Sequence, residues 1–138
     1  MALEVTLNYW AIIVAAFAGM AVGMLWYGPV FGRQWMKLMK FTPQSMKGMK
    51  LTPMQAMGLG LVTTLMMSFV LAHFVDYVAA ASFGAAFQLA FWVWLGFMMP
   101  LNAGVFLWEG KPFKLFVLNT AYHLVSLIVM AAILALWA

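Results

Sequence analysis

The sequence contains no cysteine in 138 residues, which excludes disulfides, thiolate nucleophiles and thiolate metal sites. Charge is nearly as scarce. Lys, Arg, Asp and Glu together make up 7% of the chain, against about 25% in soluble domains, so a solvated globular surface cannot be built from it. The three acidic residues, Glu4, Asp76 and Glu109, all lie outside the interiors of the apolar runs, and no run holds a buried carboxylate of the kind that couples small exporters to protons. No nucleotide-binding loop, nucleophile triad or metal-hydrolase motif is present, so no enzymatic activity and no cofactor are expected. No Ser/Gly/Pro-rich linker divides the chain, which reads as one domain.

Hydrophobic residues make up 67% of the sequence and fall in four long runs. A run of about 20 apolar residues crosses the ~30 Å hydrocarbon core as a helix. The expected spans are about 7–27, 53–75, 82–107 and 113–137, giving an all-α integral membrane four-helix bundle. The first run exceeds the short apolar stretch of a signal peptide and is expected to remain as an anchor. Tyr9 and Trp10 mark one membrane interface of that span, and Trp26 and Tyr27 the other. Pro100 is expected to kink the third span, because proline removes one backbone hydrogen bond and crowds the preceding turn.

The connection 28–52 carries five of the seven cations, Arg33, Lys37, Lys40, Lys47 and Lys50; Lys111 and Lys114 occupy the third connection. The positive-inside rule places both connections in the cytoplasm, with both termini and the Asp76 turn outside. Between Phe31 and Lys40 the apolar residues Phe31, Trp35, Leu38 and Met39 fall on one side and Arg33, Lys37 and Lys40 on the other, which predicts a short amphipathic helix lying flat at the headgroups between the first and second spans. Arg33, Trp35, Lys37 and Lys40 are the expected headgroup contacts. Anionic lipid, rather than nucleic acid, is therefore the partner that the net charge of +4 implies. The connection also contains a duplication, Met36-Lys37-Leu38-Met39-Lys40-Phe41-Thr42-Pro43 and Met46-Lys47-Gly48-Met49-Lys50-Leu51-Thr52-Pro53. Its second Thr-Pro, followed by Gln55, has the pattern of a capping box that opens the second span.

Small residues recur at every fourth position of the first span, at Ala11, Ala15, Gly19 and Gly23, and of the second, at Gly60, Thr64, Ser68 and Ala72. Such ridges let helix backbones approach closely in lipid. The two ridges are expected to pack on each other, and the protein is expected to self-associate as a homo-oligomer.

Trp26-Tyr27-Gly28-Pro29, Phe31-Gly32, Trp35-Met36, Leu51-Thr52-Pro53 and the later Tyr122-His123-Leu124-Val125-Ser126 occur in an order that resembles the bacterial membrane family catalogued as domain of unknown function 1761. The resemblance covers essentially the whole chain. It implies a small, mostly four-helix inner-membrane protein and supplies no reaction, so no catalytic role is carried over.

His123 is the sharpest candidate for chemistry, since ten residues into the last helix places it about 15 Å deep, near mid-bilayer. Asn119 lies a turn below and Ser126 a turn above, with Thr120 and Tyr122 alongside. Polar groups at that depth turn away from lipid, toward other helices or a cavity. Asn119, Tyr122, His123 and Ser126 form the candidate intramembrane polar site; its structural reading is a neutral histidine bonded to Asn102 or Gln88, its functional reading a proton-sensitive or ligand-binding group. His73 and Asp76 make a second pairing near the outer end of the second span, better read as an interfacial structural pair. The distance between the two histidines disfavours a shared zinc or haem. Met36/Met39, Met46/Met49 and Met54/Met57 invite Cu(I), but the lysines interleaved with them would repel a cation, and flexible apolar filling explains them better. The sequence thus supports a non-enzymatic membrane protein that binds lipid or a partner protein; the alternative is an oligomeric transport or channel subunit with a polar pathway around His123.

Overall fold

The computed structural model describes residue 5, residues 7–39 and residues 53–137. Lys40, Lys47, Lys50, Thr52 and most of the duplicated segment lie outside the described residues, as does the capping role expected of Thr52. All regular structure among the described residues is helical. Helix α1 is Tyr9–Leu25 and continues through a π-helical turn, Trp26–Val30. Helix α2 is Gly32–Met39 and α3 is Pro53–Tyr77. Helix α4, Phe83–Val93, passes through a second π-helical turn, Trp94–Met98, into α5, Met99–Leu107. The last helix, α6, is Phe113–Leu136. Four of these stretches, Tyr9–Val30, Met54–Tyr77, Phe83–Gly104 and Phe113–Leu136, are long and apolar enough to cross a membrane.

The helix ends follow from local chemistry. Asn8 opens α1 by accepting from the backbone N–H groups of Trp10 and Ala11 at 3.1 and 3.3 Å, and Ser82 opens α4 by accepting from Ala85 N–H at 3.2 Å. Both π-helical turns accompany a proline. Pro29 lies inside the first, and the second ends just before Pro100. A widened turn makes room for the proline ring and for the carbonyl left without an N–H partner. The irregularity expected at Pro100 therefore falls one turn earlier, at Trp94–Met98, and Asn102 Nδ2 donates to the Met98 carbonyl at 2.7 Å. At the end of α3, Ala80 N–H donates to Val75 O at 3.0 Å around Ala79, whose φ of 55° is left-handed. This closes the helix in the manner of a Schellman turn, with alanine where glycine is usual.

Helix α6 touches every other helix, and its most extensive contact is with α1. Ala11, Ala15 and Ala16 of α1 and Met130 and Ala131 of α6 are almost fully buried, and Ala86 and Ala90 of α4 are buried in the core that also holds Leu127 of α6. The ridge of α3 faces α1: Ser68 Oγ donates to Ile12 O at 2.8 Å, and Thr64 Oγ1 lies 3.5 Å from Met20 Sδ. A Cβ on Gly60 would likewise meet Met20, at 3.9 Å. The ridge of α1 does not answer it along its whole length. Gly19 and Gly23 turn to α6, where a Cβ on Gly19 would stand 2.8 Å from Met130 Sδ and one on Gly23 3.0 Å from Tyr122 Oη. The two glycines are notches for large α6 side chains, so the expected ridge-on-ridge contact of the first two spans is replaced there by an α1–α6 contact.

Gly19→Leu should therefore lower the thermal unfolding midpoint in detergent, because overpacking against Met130 and Ser126 costs about 1–3 kcal/mol; an unchanged midpoint would refute the notch. Ala79→Gly should act in the opposite direction. Relief of a left-handed alanine is worth up to about 1 kcal/mol after the entropy of glycine is counted, seen as a midpoint raised by a few degrees.

Candidate functional site

The lower half of α6 is held from two sides by aromatic donors. Trp26 Nε1 donates to Leu118 O at 3.1 Å, and Trp94 Nε1 donates to Thr120 O at 2.7 Å. Both tryptophans come from the π-helical turns, so the local widening of α1 and of α4–α5 presents indole N–H groups to the α6 backbone. Beside Trp26, Tyr27 Oη donates to Asn119 Oδ1 at 2.7 Å. Thr120 satisfies its own hydroxyl on Phe116 O at 2.6 Å.

Rings extend this clamp. Tyr122 meets Tyr27 edge-on at 5.2 Å, and His123 stacks at a tilt beside Tyr122 at 5.0 Å. Trp35 of α2 packs edge-on against Tyr27 at 5.5 Å, and Phe31 packs against Trp26 at 4.7 Å. Helix α2 is thereby seated on the end of α1 by its aromatic face, leaving Arg33 and Lys37 exposed. Gly32 permits the return of the chain, since a Cβ there would stand 2.6 Å from Tyr27 O.

Two clefts flank α2. One, of about 750 Å³, is open and is lined from α1, α2, α3, α5 and α6; its polar residues include Asn102, Asn119 and His123. The other, of about 780 Å³, lies between α2 and the start of α6, with Phe31, Leu38, Phe113, Val117 and Leu118 as apolar walls and Lys37 and Lys114 at hand. Clefts of this size accommodate a drug-sized or lipid-like molecule.

The four residues of the expected polar stripe separate in three dimensions. Asn119 and His123, one turn apart, share the first cleft. Tyr122 turns to Gly23, Trp26 and Tyr27. Ser126 is buried against α1, where its hydroxyl lies 3.7 Å from Met130 Sδ and faces Gly19. Asn102 reaches the same cleft as His123 but spends its amide nitrogen on Met98 O, while Gln88 is exposed on α4. His73 Nδ1 donates to Phe69 O at 2.8 Å between the rings of Phe69 and Tyr77. Among the described residues no group of three or more His, Asp or Glu side chains could hold a metal ion. Trp26, Tyr27 and Trp94 are members of the site that sequence reasoning left aside. Their signal was present: each couples an apolar ring to a polar tip, which buried aromatic residues usually satisfy.

Residues 10–135 match a family described as Protein of unknown function (DUF1761). No curated protein and no solved structure matches the chain.

A double-mutant cycle on Tyr27→Phe and Asn119→Ala should return a coupling of about 0.5–1.5 kcal/mol in detergent unfolding, the net worth of one hydrogen bond. Strictly additive losses would show that the two groups do not interact.

Proposed function

We propose that this chain, which belongs to the family described as Protein of unknown function (DUF1761), is a non-enzymatic membrane protein that binds an anionic lipid at its basic end. The observation that carries this reading is the cleft between α2 and α6, where Lys37 and Lys114 stand at apolar walls made by Phe31, Leu38, Phe113 and Val117. An acyl chain fits the walls and a phosphate fits the ammonium groups. The start of α6 adds to the attraction, because Pro112 brings no side-chain cap and the first N–H groups of the helix carry partial positive charge.

In this reading the four apolar stretches stand as a bundle in the bilayer, and α2 lies at the headgroups with Arg33 and Lys37 outward. The basic end faces the cytoplasm, where anionic lipid is concentrated, and both termini face outside. Transport along the α6 polar stripe is supported less well. A pathway would need Ser126 to follow His123 into an open space, whereas its hydroxyl sits in the α1–α6 contact.

The test uses protein released from nanodiscs of mixed phosphatidylglycerol and phosphatidylcholine and counts retained lipids by native mass spectrometry. The wild type should retain phosphatidylglycerol selectively. Each lysine near a membrane surface is worth about 1 kcal/mol, so Lys37→Gln with Lys114→Gln should cut that selectivity by roughly tenfold or more. Equal retention of both lipids by the wild type, or unchanged selectivity in the double variant, would overturn the proposal.

A further inference from the structure

The cleft on the other side of α2 has a different chemistry. It is lined by residues from α1, α2, α3, α5 and α6, and none of the described residues lining it is charged. Its polar groups are incompletely used. Asn119 accepts from Tyr27 with Oδ1, and its amide N–H groups have no partner among the described residues. Asn102 is the reverse, donating its amide to Met98 O and keeping Oδ1. The imidazole of His123 has ring contacts with Tyr122 and no hydrogen bond among the described residues. Asn119 and His123 stand one turn apart on one face of α6, so their N–H groups can reach the same small acceptor.

The remaining walls suit a flat apolar body. Tyr27 and Trp35 contribute rings held edge to face at 5.5 Å, and Met20, Met24 and Met57 contribute flexible, polarizable thioethers. An ion would enter this cleft without a counter-charge from its described lining, which is costly away from water. A neutral molecule meets no such penalty.

We propose that the cleft around His123 binds a neutral, membrane-soluble ring compound with a carbonyl oxygen on its edge, of the quinone type. The carbonyl accepts hydrogen bonds from His123 and the Asn119 amide, and the ring lies along Tyr27, Trp35 and the methionines. The site is separate from the lysine-lined cleft and needs neither Lys37 nor Lys114.

The experiment titrates the protein in nanodiscs with 2-methyl-1,4-naphthoquinone and, in parallel, with 2-methylnaphthalene, which has the same ring outline without the oxygens. Binding is read by native mass spectrometry and by the shift in unfolding midpoint. The absence of cysteine leaves no thiol for the quinone to alkylate. The wild type should bind the quinone at least tenfold more tightly than the hydrocarbon. His123→Phe keeps the ring and removes both nitrogens; it should lose about tenfold in quinone affinity and none for the hydrocarbon, while His123→Gln restores part of the loss. Equal affinity of the wild type for the two compounds overturns the proposal, and so does undiminished quinone binding by His123→Phe. If His123→Phe fails to fold, the wild-type comparison of the two compounds decides alone.

Discussion

In an apolar surrounding, a helix pair gains nothing from hiding hydrophobic surface and must be held by close packing and satisfied polar groups. The α1–α6 contact meets that constraint, and the other elements are arranged around it. Alanines and glycines bring the two backbones together, Gly19 and Gly23 receive Met130 and Tyr122, and Trp26 and Tyr27 close the lower end on Leu118 and Asn119. Helix α3 joins α1 through Ser68, and Trp94 brings the α4–α5 segment onto α6.

The two prolines belong to this arrangement rather than interrupt it. An α-helical turn at Pro29 or Pro100 would have to absorb a ring and an orphan carbonyl. The π-helical turns at Trp26–Val30 and Trp94–Met98 absorb them, and each begins with a tryptophan whose N–H reaches an α6 carbonyl. Backbone irregularity and site construction thus coincide, as is common for π-helical turns. The same first turn aims Tyr27 and seats Trp35, with a cleft that carries Lys37 and Lys114 on one side of α2 and one without a charged residue among its described lining on the other.

Much of this was legible beforehand because it is local. Long apolar runs, the Ser82 start of α4 and the two-faced character of Gly32–Met39 depend only on neighbours a few residues apart. The candidate site was legible in part. His123 and Asn119 could be placed one turn apart and on one face from helical periodicity. Their separation from Ser126 could not, because residues three and four apart share a stripe until a packed neighbour decides which edge of it is covered. Gly19 covers Ser126, and the His123 edge is left open.

The sequence by itself determined the four apolar helices, the clustering of cations in the first and third connections and the presence of an irregularity near Pro100 in the third span. Each is a property of composition and spacing along one segment. Only the tertiary structure decided which small-residue ridge met which helix, because such ridges in α1 and α3 are alike and fit many partners; the choice fell to the bulk of Met130 and Tyr122. It also decided that Tyr27, far from Asn119 in the chain, donates its hydroxyl proton in a hydrogen bond to Asn119 Oδ1 at 2.7 Å. No periodicity encodes that pairing, which exists because the end of α1 and the lower half of α6 lie side by side.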